Sequence, residues 1–312
     1  MTNKAKLIGV TTAVIIAVEI FLRVSGAVDF PTYNVDSEIG YLPKESQSGL
    51  FLNKNDWHFN DKSMPIAQNW DPTLRPNILL IGNSIVMGGN PYQQQDKLAP
   101  QIQKRLGARP IVWPISAGGW TQINEMTYLD RHPEIAAEAD YLAWEYMSGG
   151  LSGAKPWPGE YVFPSHKPIY ATWYALRRYV LPRIFPFIGA SELPLTGPAD
   201  KINVERFDRT VAALTHGGHR AHGGLIWLYP VAARVDEARR GMEWLPERRQ
   251  IEEIAVKYGL RIVDIAAKPE WNKSLYRGDG VHPTVEGVHV LASILAEEFS
   301  KDKKDQPPSS AR

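Results

Sequence analysis

The stretch Leu79–Gly89 reads L-L-I-G-N-S-I-V-M-G-G, an apolar run that stops on a glycine and is followed by a serine and paired glycines. Read as strand, tight turn and helix start, it sets the fold class, because the same alternation repeats downstream. Apolar runs of strand length recur at Asn77–Ile81, Pro110–Ile115, Tyr141–Tyr146, Gly224–Tyr229 and Leu260–Ile265. Helical patterns lie near Gln94–Leu106, Thr121–Arg131, Val204–Leu214, Asp236–Tyr258 and Thr284–Phe299, with Gly107 and Gly259 where helix C-caps belong. Strand and helix in alternation predict an α/β fold, a mainly parallel sheet covered by helices on both faces. Ligands gather in such sheets at the carboxyl ends of the strands, and Ser84 falls at the carboxyl end of the first. A serine there either caps the next helix or does chemistry, since its oxygen suits both tasks.

At 312 residues, 44% apolar and with ten tryptophans, the chain has ample material for a buried core. Thirty-five Lys and Arg face 34 Asp and Glu, and a formal charge of +1 provides no basic field for a phosphate backbone. Nucleic acid is therefore not an expected partner. The absence of cysteine removes disulfides, thiol nucleophiles and thiolate metal sites together.

Lys4 and Lys6 precede the apolar segment Leu7–Leu22, which carries Glu19 and is followed by Arg23. Three readings compete. A signal anchor is short for a spanning helix but has its lysines on the cytoplasmic flank and Glu19 near the far interface. A cleaved signal peptide has S-G-A at Ser25–Ala27 as its small-residue site. A buried core helix would have to tolerate Glu19. The anchor is favoured, because Glu19 and Arg23 sit badly in the apolar region of a signal peptide. Residues 1–27 are thus taken as anchor or signal peptide, with the rest of the chain outside the cytoplasm.

Residues 28–75 form a lead-in segment, in which Gly49–Asn60 reads as a short hairpin around N-K-N-D. The main domain is expected over 76–300. Between 155 and 198 the alternation gives way to an insertion rich in proline and aromatics, with a helix expected over Ala171–Leu181. Its aromatic rings either pack the insertion onto the sheet or offer faces to a sugar or acyl chain. The tail 301–312 has the composition of a disordered segment.

A serine hydroxyl needs a base to take its proton and a third group to orient that base. R-G-D-G-V-H-P supplies both, with Asp279 three residues before His282 in a turn-rich loop ahead of the last helix. D-x-x-H alone is a weak signal, since a loop aspartate often bonds its own backbone. His216, His219 and His222 recur at intervals of three and invite a metal reading, but the glycines between them break the helix that would align them. No metal or cofactor is called for.

Taken together, I-G-N-S-I after the first strand and D-G-V-H-P before the last helix resemble the first and last blocks of the SGNH, or GDSL, hydrolase family. The resemblance covers roughly Pro76–Phe299 as an order of elements, while the specific identities lie in those two blocks. It implies a three-layer α/β/α sandwich with a mainly parallel five-stranded sheet, SGNH/flavodoxin-like. In it Ser84 is the nucleophile, His282 the general base and then acid, and Asp279 the orienting carboxylate.

The family's oxyanion hole joins the nucleophile's N–H, here of Ser84, to a glycine after the second strand. By spacing this is Gly118 in I-S-A-G-G-W-T, with Gly119 the close alternative. Two departures stand out. Asn83 replaces the usual aspartate, and the third block lacks its asparagine, the position falling near Ser148 or Gly149 in W-E-Y-M-S-G-G-L-S-G.

The function expected is that of an extracytoplasmic serine esterase or O-acyltransferase acting on carboxylic, foremost acetyl, esters of a glycan. Its expected partners are an acylated carbohydrate or acyl donor, the bacterial inner membrane on its periplasmic side, and a polysaccharide synthesis or acyltransferase complex. Alternatives are a lipid-directed esterase, whose activity would rise with acyl length, and a non-catalytic glycan-binding accessory protein.

Overall fold

The structure, a computed structural model, describes residues 3–185, 198–216 and 223–305. The apolar N-terminal segment forms helix α1 (Asn3–Val24), none of whose side chains is buried. It is followed by two antiparallel hairpins. β1 (Tyr33–Asp36) pairs with β2 (Gly40–Pro43), and β3 (Gln47–Phe51) pairs with β4 (Asn55–Phe59). Their inner faces, with Tyr33, Tyr41, Trp57 and Phe59, are buried in the main core, so the lead-in segment wraps the domain.

The sheet is built from β5 (Asn77–Gly82), β6 (Ile111–Ser116), β7 (Tyr141–Tyr146), β8 (Gly224–Leu228) and β9 (Arg261–Asp264). All pairs are parallel, in the order β6-β5-β7-β8-β9. Every residue of β5 is buried, as a strand covered on both faces requires. Leu79 and Ile81 enter one core and Ile78 and Leu80 the other, the alternation that a two-residue side-chain repeat imposes.

The helices segregate accordingly. α4 (Gln122–Arg131), α8 (Lys201–His216) and α10 (Arg248–Lys257) cover the first face, through Met126, Phe207 and Ile251 among others. α2 (Ser84–Met87), α3 (Leu98–Leu106), α9 (Ala232–Arg239) and α11 (Val285–Asp305) cover the second, through Val86, Ile102, Val235 and Leu291. The short α5 (Pro133–Ala136) leads into β7. The result is the three-layer α/β/α sandwich.

Three local expectations need correction. Asp236–Tyr258 is two helices, α9 and α10, because Gly241 takes a φ of 72° and the intervening Trp244 and Leu245 are buried in the core. Those two core residues mimic helical periodicity in the sequence. The helix read from Gln94 starts at Leu98, preceded by a 3-10 turn at Gln94–Asp96. The insertion helix exists as α6 (Ala171–Ala175), a π-helical turn at Leu176–Val180 and α7 (Leu181–Ile184), which carries Pro182. Proline cannot donate to an earlier carbonyl, and a widened turn is one way a helix absorbs that. Insertion residues 186–197 and tail residues 306–312 lie outside the described residues.

Candidate active site

β5 lies between β6 and β7, so the chain leaves the sheet to opposite sides at its carboxyl edge, the position where α/β sheets open a crevice. Ser84 stands there as the first residue of the single-turn helix α2. The cap of that helix is Asn83, whose side chain accepts from the Ile85 N–H at 3.1 Å. Asparagine therefore takes the cap position, and the serine hydroxyl, 3.5 Å from Asn83 Oδ1, reaches another partner. Gly88, with a φ of 79°, closes the turn by donating its N–H to the Ser84 carbonyl.

That other partner is His282. Its Nε2 lies 2.9 Å from Ser84 Oγ, and its Nδ1 lies 3.1 Å from Asp279 Oδ2. An Nδ1–H donating to Asp279 leaves Nε2 as the acceptor for the serine proton. Asp279 Oδ1 meanwhile accepts from the N–H groups of Val281 and His282, at 2.9 and 2.8 Å, which fixes the D-G-V-H turn. Burial pulls the Asp279 carboxyl upward, but those N–H bonds and the imidazole outweigh it and hold it below the usual carboxylate range. The loop is anchored further by the Tyr229 hydroxyl donating to the Val281 carbonyl at 2.9 Å and by the Tyr92 hydroxyl on the Pro283 carbonyl.

Ser84, Asp279 and His282 share a cavity of about 450 Å³ with Gly118 and Gly119. Its walls come from four places: Phe30 and Tyr33 of the lead-in, Met87 to Pro91 after Ser84, Val162, Phe163, Tyr174, Arg178 and Tyr179 of the insertion, and Arg277 beside the Asp279–His282 loop. Phe163 stacks on Tyr41, with ring centroids 4.7 Å apart, and the Tyr41 hydroxyl donates to the Gly118 carbonyl at 2.5 Å. Phe163 packs so close to Gly118 that a β-carbon there would sit 3.0 Å from its ring. The insertion aromatics thus both pack the segment and line the cavity.

The third-block residues are placed differently. Ser148 is exposed, the Gly149 N–H donates to Glu247 at 3.3 Å, and neither lines the cavity. What reaches the nucleophile turn from the end of β7 is Met147, whose sulfur accepts from Asn83 Nδ2 at 3.1 Å. A thioether cannot donate, so the site takes no side-chain hydrogen bond donor from this strand.

One site residue escaped the sequence reading. Glu145, on β7 and fully buried, accepts the Asn83 N–H through Oε2 at 3.0 Å, directly behind Ser84. Its carboxylate fills the space beside Gly82, where a β-carbon would lie 2.2 Å from Oε2. Burial pushes the Glu145 carboxyl well above the usual range; the Asn83 N–H opposes this and nearby Glu125 adds to it. Glu125 is itself pushed up to about 8 by burial, against a hydrogen bond from Trp144 Nε1 at 2.6 Å. The second oxygen of each carboxyl has no hydrogen-bond partner among the described residues. The signal for Glu145 was a glutamate inside the otherwise apolar run Y-L-A-W-E-Y.

Of the three histidines weighed for a metal, His216 ends α8 and packs edge-on against Tyr258, while His219 and His222 lie outside the described residues.

No family model and no curated protein matches the chain. Solved structures do. A psychrotrophic esterase from Pseudoalteromonas sp. aligns at 11% identity and a TM-score of 0.45, covering 73% of this chain and 99% of its own. A lipase/acylhydrolase from Enterococcus faecalis aligns at 13% and 0.43, covering 75% and 99%. An acetylxylan esterase from Geobacillus stearothermophilus aligns at 15% and 0.42, covering 72% and 94%. Likeness at this level carries no argument about chemistry. The deciding observations are the chain's own: a parallel sheet whose first strand lies between the second and third, a serine after that strand, and D-x-x-H before the last helix. The chain has a three-layer α/β/α fold with a mainly parallel five-stranded sheet. In it the Ser84 turn and the His282 loop, 198 residues apart, meet at hydrogen-bond distance.

Proposed function

We propose that the chain is an extracytoplasmic serine esterase or O-acyltransferase, acting on carboxylic, foremost acetyl, esters of a glycan through an acyl-serine intermediate. The observation that carries this reading is the relay of Asp279, His282 and Ser84 opening into the cavity. Ser84 Oγ bonds to the ester carbonyl carbon as its proton passes to His282 Nε2. Asp279 stabilises the imidazolium. The developing oxyanion faces the backbone N–H groups of Ser84 and the Gly118–Gly119 turn. His282 then returns the proton to the leaving alkoxide oxygen. Water or a sugar hydroxyl, deprotonated by the same nitrogen, next attacks the acyl carbon and releases Ser84.

A missing oxyanion donor costs about 2.7–4 kcal/mol, or about 100- to 1000-fold in rate, where nothing replaces it. A slower enzyme is expected, not an inert one. The aromatic wall suits the apolar faces of a sugar ring, which supports a glycan ester as the substrate class.

The location reading rests on α1, 22 residues long with a mean hydropathy of 2.2 over its most apolar window and Lys4 and Lys6 on its leading flank. Retention of the helix is supported by Glu19 and Arg23. Both bond to residues of the insertion and would be lost with a cleaved peptide.

The test is serine labelling by a fluorophosphonate together with hydrolysis of aryl acetates, in the native chain and in Ser84→Ala. Both signals should vanish in the variant, and their absence from the native chain would favour a non-catalytic binding protein. An acetylated oligosaccharide offered with and without an acceptor sugar then separates transfer from hydrolysis.

A further inference from the structure

Glu19 sits on α1 but acts on the insertion. Its carboxylate accepts from the N–H of Ala171 at 2.9 Å, from the N–H of Thr172 at 2.8 Å and from the Thr172 hydroxyl at 2.9 Å, satisfying the orphan donors at the start of α6. Arg23, paired with Glu19 at 2.7 Å, donates to the Ile169 carbonyl at 2.5 Å. The apolar helix and the insertion are therefore locked at a defined height. Thirteen residues separate Lys6 from Glu19, a rise of about 20 Å along a helix. A bilayer's hydrocarbon core is about 30 Å thick. With Lys6 at the inner boundary, Glu19 and the start of α6 lie about 10 Å below the outer one, and any tilt lowers them further.

We propose that segment 168–185 lies in the outer leaflet as an in-plane membrane element, with the bilayer as its partner. The inference rests on the reading of α1 as a spanning helix. Around α6 and α7, Ile169, Tyr170, Trp173, Val180, Ile184 and Phe185 are exposed, Ile169 at 75% and Trp173 at 53%. The same segment holds Arg177, Arg178 and Arg183 and no carboxylate. Aromatic and aliphatic side chains with basic neighbours make up the composition of interfacial helices, whose apolar faces sink about 5–10 Å below the headgroups. The depth set by Glu19 falls at that figure. Lipid cannot satisfy backbone N–H groups, and Glu19 supplies what α6 needs there. Other side chains of the same helical run, Tyr174 and Arg178, line the cavity that holds Ser84, so the wall of the site and the membrane element are one piece of chain.

The test uses the full chain reconstituted in phosphatidylcholine–phosphatidylglycerol vesicles with acyl chains brominated either near the headgroup or near the terminal methyl. Trp173 is the one exposed tryptophan among the described residues, so the readout is its share of bromine quenching, taken as native chain minus Trp173→Phe. Co-flotation with the vesicles is measured in parallel. The proposal expects flotation, quenching by bromine at both depths, and loss of most of that quenching in Trp173→Phe. A chain that floats but is quenched equally with and without Trp173 overturns the membrane element and leaves the anchor standing. A chain that does not float overturns the anchor reading, and the membrane element with it.

Discussion

Glu145→Gln isolates the buried carboxyl behind the nucleophile. An amide has nearly the same shape and can still accept the Asn83 N–H that Glu145 Oε2 accepts at 3.0 Å, but it does not titrate. Burial raises the folded-state pKa of Glu145 well above its ordinary 4.5, so the native state keeps a proton that the unfolded chain releases above about pH 4.5. Stability from that proton is fully present below the unfolded pKa and is lost as pH rises toward the folded one. The slope is about 1.4 kcal/mol per pH unit for one proton. Glu125, pushed up to about 8 by burial, is present in both proteins and stays mostly protonated up to pH 7. The stability of Glu145→Gln minus that of the native chain should therefore grow as pH rises from 5 to 7, by at most about 1.4 kcal/mol per pH unit. Urea unfolding of the full chain in detergent at pH 5, 6 and 7 measures it. A difference that stays flat across this range would refute the argument, because it would mean that Glu145 titrates alike in both states. Turnover should stay within a few-fold of native. Glu145→Ala, by contrast, leaves the Asn83 N–H buried without an acceptor at a cost of about 1–3 kcal/mol, and should lower kcat by loosening the Ser84 turn.

Asp279→Asn should keep the loop, since an amide oxygen still accepts the N–H groups of Val281 and His282, yet drop kcat by up to about 10⁴-fold by favouring the wrong imidazole tautomer; steady-state kinetics beside an unchanged unfolding curve tests this. Ser148→Ala should leave aryl acetate turnover unchanged, and a drop of tenfold or more would return that hydroxyl to the oxyanion hole. Gly118→Ala should raise KM or lower kcat, because the new methyl group meets the Phe163 ring at 3.0 Å; the compensating Phe163→Leu should restore part of the activity.

The sheet was legible because β5 to β8 are buried along almost their whole length on both faces, and in a parallel sheet that writes a near-continuous apolar run, which the half-buried edge strand β9 shows only in Ile262 and Val263. The order of the strands was not written locally. It follows from which helices cover which face, and those pairings join residues as distant as Leu98 and Leu291. The region 236–258 misled for a related reason: Trp244 and Leu245 are apolar because a loop carries them into the core, and a periodicity count does not distinguish that from a helix face.

The proposed triad and the residues that hold it were unequally visible because they are specified at different ranges. Asp279 and His282 are bound into one turn by bonds spanning two and three residues, so their spacing survives as a motif. Glu145 acts across the β5–β7 pairing on a backbone N–H 62 residues away, and any acceptor at that place on β7 would do the same job. Chemistry of that kind leaves a mark only as an anomaly, here one carboxyl inside an apolar strand. Asn83 belongs to the same logic. Its Oδ1 caps α2, its Nδ2 reaches Met147 and its N–H is held by Glu145, so the residue before Ser84 is fixed at three points, while Ser84 Oγ lies 3.5 Å from Asn83 Oδ1 and 2.9 Å from His282 Nε2. That division leaves Ser84 Oγ to hydrogen-bond His282, and each of the three bonds at position 83 needs a polar group while none needs a charge.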